Sequence, residues 1–295
     1  MKSSNILLTA RLLLNVLAVG VCLHLGVSAA RADAPARVFV ASTGDDANVG
    51  SPASPKRNFQ AAHDAVVTGG EIVTLDTAGY GLLTITKSVT ITVPPGVNGF
   101  IAAATQTAGV TINAPAGSLV TLRGLVIQGA KPSNAAGVAV NSAGTLRMED
   151  CTISGGLGGI YTSTTTATHL VMQGCRLRDL ANGVYAEAMT FGAPVDVIAT
   201  DCKMDRISNA ALLAYTQASG GSVRLYAIRC VLTECGQGVF AFGGSAVTAY
   251  VDNCTLSTNT TGVTTSNSGS VITRSNNTFT HNQSDGAFTG TLAAK

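Results

Sequence analysis

The chain has 295 residues, of which 12% are charged, 5% are aromatic and 33 are Gly. This Gly-rich, charge-poor composition is typical of short strands and turns, and it argues against a coiled coil or a long helical array. The net charge of +2 is close to balanced, so it gives no reason to expect a nucleic acid or an anionic membrane as the partner.

The N-terminal segment, residues 1–32, has the pattern of a secretory signal peptide. Lys2 and Arg11 precede an apolar run, Leu12 to Val27, and Ala30-Arg31-Ala32 then forms a small–x–small cleavage site. We therefore predict an exported protein, either periplasmic or secreted. The alternatives are an uncleaved membrane anchor and, because of Cys22, a lipoprotein. No later segment of the sequence is long and apolar enough to span a bilayer.

A strand and a short helix are predicted next, within residues 33–70. Ser54 has the features of a helix N-cap and Pro55 suits the first turn, so we predict a helix from there to about Val67. Three apolar residues share one face of this helix: Phe59, Ala62 and Val66. Such a helix would cap the open N-terminal end of a repeat domain, where core and strand edges need cover.

From residue 71 onward the sequence alternates short apolar strands with turns. The early strands are less regular: Glu71–Leu75, Leu83–Ile85 and Ser88–Thr92. A repeat then follows, marked by five cysteines at intervals of 24, 27, 28 and 24 residues: Cys151, Cys175, Cys202, Cys230 and Cys254. Leu125 and Asn277 occupy the same position one repeat earlier and one repeat later.

Two further ladders of apolar residues run in phase with the cysteines. One follows a Gly or Ala in each repeat: Val138, Ile160, Val184, Leu212, Val239, Val263 and Ala287. The other precedes each Cys position: Leu146, Leu170, Val197, Leu225, Ala249 and Ile272. Each repeat therefore contains three short strands separated by turns.

Three strands in about 24 residues predict one coil of a solenoid per repeat, with each strand parallel to its equivalent about 4.8 Å away. We predict an all-β fold, a single-stranded parallel β-helix with three short strands per coil, over residues 71–284. Residues 285–295 would form a weak C-terminal cap or a frayed tail. A leucine-rich repeat, the main rival, needs a denser Leu pattern than this sequence has.

The opening of the chain resembles bacterial secreted right-handed parallel β-helix proteins of the pectin-lyase-like superfamily. The resemblance lies in residues 38–46, in Ser54-Pro55 with the helix that follows, and in the first coil, residues 80–91. It extends from Val38 to Ser284 and implies the right-handed form of the fold. It implies no single activity, since lyases, hydrolases, esterases, epimerases and structural proteins share this fold. The Asn-Thr-Asp, Gly-His-Gly and Arg-Ile-Lys signatures of its polygalacturonase-like members are absent from the sequence.

The cysteine ladder is interpreted as a column of buried thiols at one corner of the coil. One or two disulfides are an alternative in an exported protein, although parallel stacked side chains seldom reach the required dihedral angle. Cys235 lies outside the ladder, in a turn near Cys230, and is the candidate for an odd reactive thiol. A metal column is not expected, since such ligand sets normally include His or converge from loops.

Charged residues cluster after the Cys strand on two neighbouring coils. The candidate catalytic residues are Arg176, Arg178, Asp179, Asp201, Asp205 and Arg206, with Asp150, Lys203 and Glu234 nearby. A lyase would use acids to hold calcium against a uronate, and a basic residue to take the proton α to the carboxyl group. The alternative is a set of exposed ion pairs stacked across coils. Apart from calcium under the lyase alternative, no cofactor or metal is expected.

Aromatic residues form an outward stripe beside the second ladder. The candidate substrate-binding residues are Tyr161, Tyr185, Tyr215 and Phe240, with Phe242 two positions beyond the last. Exposed aromatic rings in a row suit stacking against sugar rings. The alternative is that the segment Met189 to Pro194 covers the stripe.

The leading functional hypothesis is an exported, monomeric, non-catalytic β-helix that binds a glycan or a cell-envelope component through this stripe. The second is a polysaccharide lyase acting on an acidic glycan through the charged cluster. The third is a structural, adhesin-like spacer. His63, His169 and His281 fall on different coils, and no His–acid–nucleophile set can be assembled from their spacing.

Overall fold

The computed structural model describes residues 34–104, 106–129, 136–189, 193–217, 221–244 and 246–293. The predicted signal peptide, residues 1–32, lies outside the described residues. Within these ranges the chain forms one helix, α1 (Phe59–Ala65), and strands that assemble into three parallel sheets.

Sheet 1 contains, in spatial order, β1 (Arg37–Val40), β2 (Glu71–Thr74), β5 (Val89–Thr92), β8 (Leu119–Arg123), β11 (Thr145–Glu149), β14 (Thr168–Gln173), β17 (Val195–Thr200), β20 (Val223–Ile228), β23 (Val247–Asp252), β26 (Ser270–Thr273) and β28 (Gly290–Thr291). Sheet 2 contains β3 (Ala78–Gly79), β6 (Gly99–Ala102), β9 (Leu125–Gln128), β12 (Thr152–Ser154), β15 (Arg176–Leu180), β18 (Lys203–Ile207), β21 (Val231–Thr233), β24 (Thr255–Ser257) and β27 (Thr278–Thr280). Sheet 3 contains β4 (Leu83–Ile85), β7 (Val110–Asn113), β10 (Ala136–Ser142), β13 (Gly158–Thr164), β16 (Asn182–Ala188), β19 (Ala210–Tyr215), β22 (Gln237–Phe242) and β25 (Thr261–Ser266).

The chain visits sheet 1, sheet 2 and sheet 3 in turn, and each strand pairs in parallel with its equivalent one coil away. In sheet 3, Ile160 lies opposite Val184, and Val184 lies opposite Leu212. This is the parallel β-helix with three strands per coil that the repeat predicts, in the right-handed form that the resemblance implies. The inward side chains of all three sheets meet in one continuous apolar core.

The corner between sheets 1 and 2 is a tight turn built on one residue in the left-handed region. Asp150, Asp201 and Arg229 hold this position with φ of 52°, 54° and 51°, and Gly174 holds it with φ of 63°. The next residue is the ladder cysteine, which turns inward. This turn fixes where each sheet 2 strand begins, so that equivalent side chains stack from coil to coil.

The cysteine ladder is confirmed as a column of buried thiols. The five ladder cysteines are free, and their Sγ atoms donate to backbone carbonyls, as Cys230 Sγ does to the Ala199 oxygen at 3.2 Å. A hydrogen bond with the preceding thiol of the ladder, together with burial, raises the pKa of Cys175, Cys202 and Cys230 to about 12. The ladder therefore packs the corner, and the raised pKa values disfavour the thiolate form of Cys175, Cys202 and Cys230.

The prediction that Cys235 is a reactive thiol is wrong. Its side chain is 3% exposed, and its Sγ donates to the Thr233 oxygen at 3.2 Å. Its backbone N–H donates to Asn259 Oδ1 at 2.9 Å, so the two residues stack at one corner of successive coils. Burial raises the pKa of the Cys235 thiol to about 11.

Two local predictions also need correction. The helix begins at Phe59 and not at Pro55, because Ser54 forms a bridge with Ser51 and Asn58 takes the N-cap position. In sheet 1, Val271 and not Ile272 lies opposite Ala249 and enters the core, since the last coil is one residue out of the predicted phase. The predicted apolar helix face is confirmed as buried: Phe59, Ala62 and Val66.

Candidate functional site: the outer face of sheet 3

Five aromatic rings form a continuous row across the outer face of sheet 3, here called the aromatic row: Tyr161, Tyr185, Tyr215, Phe242 and Phe240. Centroids of adjacent rings are 4.9, 5.5, 5.2 and 5.8 Å apart. The row spans four successive strands, β13, β16, β19 and β22. The structure thus brings together all four predicted substrate-binding residues and adds Phe242 to them.

The rings cover one another, which explains why each is half-buried and not fully exposed. Tyr161 and Tyr185 lie within 7° of parallel at a centroid distance of 4.9 Å. Coplanar rings cannot approach that closely, so the two rings overlap face to face with an offset. Leu213, which continues the column after Tyr185, is 5% exposed and lies beneath the row.

The ring of Tyr161 is held in place from two directions. Asn182 Nδ2 donates to Tyr161 Oη at 3.0 Å, and Asn209 Nδ2 donates in turn to Asn182 Oδ1 at 2.8 Å. A Cβ added at Gly158 would come within 1.8 Å of Tyr161 Cε2. Because Gly158 has no side chain, the ring can lie against the backbone, and the first ring of the row has a fixed orientation.

Glu187 lies in the middle of this face. It pairs across strands with Ser163 on one side and Tyr215 on the other, and it is half-buried. Burial raises the pKa of its carboxyl group, although hydrogen bonds with Gln217 and Ser163 act in the opposite direction. Burial, and next the charge of Glu187, also raise the pKa of Tyr185. The face therefore combines apolar rings with one partly desolvated carboxylate.

The charged candidates lie on sheet 2 and its corners, away from the aromatic row. Asp205 lies on the outer side of β18, yet its side chain is only 4% exposed because Arg176 and Arg206 cover it. Its carboxylate oxygens lie 3.3 Å from Arg176 Nη2 and 2.7 Å from Arg206 Nη1. Arg206 also donates two hydrogen bonds to Asp179, at 2.8 and 3.1 Å.

The six charged candidates do not all converge on one point. Asp201 sits at the corner between sheets 1 and 2, where Arg229 donates two hydrogen bonds of 2.8 Å to it. Arg178 is an ion-pair partner of Asp179 at 3.7 Å. Each of the three candidate acids, Asp179, Asp201 and Asp205, thus lies beside a guanidinium group. This is the arrangement of ion pairs across coils that was the alternative to a lyase site. Among the described side chains, no group of three or more His, Cys, Asp or Glu is placed to hold a metal ion.

A second aromatic pair, on the outer face of sheet 1, was missed by the sequence reasoning. Tyr226 and Tyr250 stack with centroids 4.7 Å apart and planes within 6°. They line a shallow pocket of about 310 Å³ with Ile272, Arg274 and Leu292. The signal was present in the sequence, since each tyrosine lies four residues before a ladder cysteine.

In the part of the chain that the structure describes, no helix is long and apolar enough to cross a membrane. No protein-family model matches the sequence, and no curated protein matches it significantly.

Solved structures share the architecture. XylC, determined in complex with xylose, superposes with a TM-score of 0.56 at 9% sequence identity, over 80% of this chain and 65% of that one. The chain thus spans slightly less than two thirds of XylC. Pectate lyase Pel9A gives a TM-score of 0.47 at 15% identity, over 88% of this chain and 81% of that one. The GH136 lacto-N-biosidase from Eubacterium ramulus gives 0.47 at 12% identity, over 88% and 67%. At 9% identity the likeness to XylC concerns the fold alone, which is the right-handed parallel β-helix described above.

Proposed function

We propose that this protein binds a glycan on the outer face of sheet 3, through the aromatic row, without cleaving it. The observation that carries the proposal is the row itself, in which five half-buried rings contact one another in succession across four strands, with one carboxylate among them. A row of this length is about as long as several sugar units, since strands of a sheet are spaced about 4.8 Å apart.

The chemistry of the face suits carbohydrate better than an apolar peptide. The exposed parts of the half-buried rings offer an apolar surface to the C–H groups of pyranose rings, while polar groups beside them fix orientation. Hydroxyl and amide groups flank the row: Thr111, Asn141, Ser163, Thr264 and Ser266. The xylose bound to XylC, which has the same fold, adds support for this ligand class.

Among the described strand residues of this face there is no second acid beside Glu187, which favours binding over cleavage. Glycosidases of the usual types need two carboxyl groups about 5–9.5 Å apart. On the outer face of sheet 3, Glu187 is the only Asp, Glu, Lys, Arg or His among the described strand residues. The acids and bases of the lyase hypothesis are paired with one another on sheet 2.

We also propose that the protein is exported and meets its glycan in the periplasm or outside the cell. The predicted leader over residues 1–32 supports this location. A polysaccharide or another cell-envelope component is then the expected partner.

A glycan array probed with the purified chain tests the proposal. We expect binding to at least one polysaccharide, weakened about tenfold or more by the double substitution Tyr161→Ala/Tyr185→Ala. The matched control is Tyr226→Ala/Tyr250→Ala, which removes an equally stacked tyrosine pair from sheet 1. Loss of binding in the control alone would place the site on sheet 1 and overturn the proposal. Each bound glycan is also assayed for unsaturated and reducing products, and product formation would overturn the non-catalytic part.

A further inference from the structure

We infer that the outer face of sheet 3 selects uncharged glycans and rejects uronate-rich ones. This inference rests on the proposed function and specifies its ligand class. It differs from the lyase hypothesis, which calls for an acidic glycan. The selectivity is inferred from the distribution of charge around the aromatic row.

Glu187 is surrounded by neutral groups in every direction along the sheet. Ser163 of β13 lies opposite it on one side, and Tyr215 of β19 on the other. Tyr185 precedes it on its own strand, and Gln217 reaches its carboxyl group from the segment after β19. Its neighbours are therefore a hydroxyl group, an amide and two tyrosines, and no described cation on this face balances its charge.

Charged residues on the sheet 2 strands that precede this face pair with one another. Asp179 and Arg206, which precede β16 and β19, are joined by two hydrogen bonds of 2.8 and 3.1 Å. Among the described strand residues of sheet 3, Glu187 is the only Asp, Glu, Lys, Arg or His, so the aromatic row carries one negative charge when this carboxyl group is ionised. A carboxylate on a bound sugar would meet this charge where partial burial weakens screening by water and salt.

A neutral sugar gains from the same carboxylate. Two carboxylate oxygens can accept hydrogen bonds from two neighbouring hydroxyl groups, and hydrogen bonds to an ionised acceptor are stronger than neutral ones. The rings of Tyr185 and Tyr215 lie on adjacent strands and make an aromatic contact with centroids 5.5 Å apart, beside the carboxylate. Contact with the exposed parts of these rings and hydrogen bonding to the carboxylate would therefore act on the same sugar unit. Glu187 thus has opposite effects on the two ligand classes.

The test compares sugars that share a backbone and differ only in charge. Polygalacturonate, glucuronoxylan and alginate are each arrayed beside their carboxyl-reduced forms, together with the neutral polysaccharides xylan and cellulose. At pH 7.5 we expect the reduced form of any bound backbone to bind about tenfold or more tightly than its uronate form. Glu187→Gln should narrow this ratio mainly by strengthening uronate binding. Glu149→Gln, which removes a partly buried acid from sheet 1, should leave the ratio unchanged.

The pH dependence supplies a second readout. A uronate titrates like an α-carboxyl group, near about pH 3.5, whereas the pKa of Glu187 lies above its ordinary value. Lowering the pH from 7.5 to 4.5, the ordinary pKa of a Glu carboxyl group, should therefore strengthen uronate binding by the wild-type chain and leave uronate binding by Glu187→Gln nearly unchanged.

The outcomes separate the two proposals. Uronate forms that bind the wild-type chain as tightly as the reduced forms would overturn the charge selection while glycan binding stands. An unchanged ratio in Glu187→Gln would overturn the role of this residue. A folded chain that binds none of the arrayed glycans would overturn the proposed function, and the selectivity with it.

Discussion

Tyr161 and Tyr185 lie opposite each other on neighbouring strands, and their rings overlap with centroids 4.9 Å apart and planes within 7°. Stacked aromatic pairs contribute about 0.5–1.5 kcal/mol beyond their buried area. A double-mutant cycle with Tyr161→Ala and Tyr185→Ala should therefore give a coupling free energy in this range, measured by urea unfolding. Additivity of the two single effects would show that the overlap contributes nothing to stability.

The orientation of Tyr161 depends on Gly158. A methyl group at this position would collide with the ring, so Gly158→Ala should turn Tyr161 away from the row and break its hydrogen bond with Asn182. We expect glycan binding to fall about tenfold, with a smaller effect on the melting temperature than a core substitution causes. Gly79→Ala is the matched control, since a Cβ there meets nothing within 4 Å. Equal binding by both variants would contradict the prediction.

The ion pairs of sheet 2 should differ in their effect on stability according to burial. Arg206→Ala removes one of two guanidinium groups that cover the buried carboxylate of Asp205, so it should lower the urea midpoint measurably. Arg229→Ala removes the partner of Asp201, which is 43% exposed and well hydrated, so its midpoint should stay near that of the wild type. Equal urea midpoints for the two variants would show that covering the Asp205 carboxylate with Arg206 does not stabilise the folded state.

The buried thiols should resist alkylation in the folded chain. Cys175, Cys202 and Cys230 have pKa values of about 12 and Cys235 of about 11, and the thiolate is the reactive form. Iodoacetamide at pH 8 should leave these four cysteines unmodified within an hour in the folded chain, whereas all four should react in urea. Peptide mass spectrometry measures the modification at each cysteine. Rapid alkylation of Cys235 in the folded chain would contradict this prediction and show that its thiol is reactive.

The charge of Glu187 should make the folded state slightly less stable at neutral pH than at pH 4. Burial raises the pKa of this carboxyl group above its ordinary value of 4.5. The penalty is absent below the pKa of the unfolded chain and complete above the raised pKa, so the free energy of unfolding should decrease as the pH rises through this window. Glu187→Gln should remove that part of the pH dependence and raise the melting temperature at pH 7. The effect is measured as the difference in the free energy of unfolding between Glu187→Gln and the wild type, plotted against pH, with Glu149→Gln as the control.

The repeat in the sequence determines the fold because, in a parallel solenoid, the neighbour of every strand residue lies one period away. The spacing of Cys151, Cys175 and Cys202 therefore predicts both the strands and their pairing, and the predicted contact between Tyr161 and Tyr185 follows from the same period. Tyr226 and Tyr250 were predictable in the same way, since they share one phase of the repeat.

Which charged side chains are buried could be learned only from the tertiary structure. Asp205 and Arg206 are adjacent in sequence, yet one is buried and the other exposed because Arg176 of the preceding coil and Arg206 itself cover Asp205. The repeat also predicts the wrong inward-facing residue where a coil changes length. In the last coil a one-residue shift places Val271, and not Ile272, opposite Ala249 and in the core. Period and polarity in the sequence therefore determine which backbones pair. Partial burial of Glu187 among the rings depends on side chains from three coils, so its charge and the selectivity inferred from it emerge only when those coils stack.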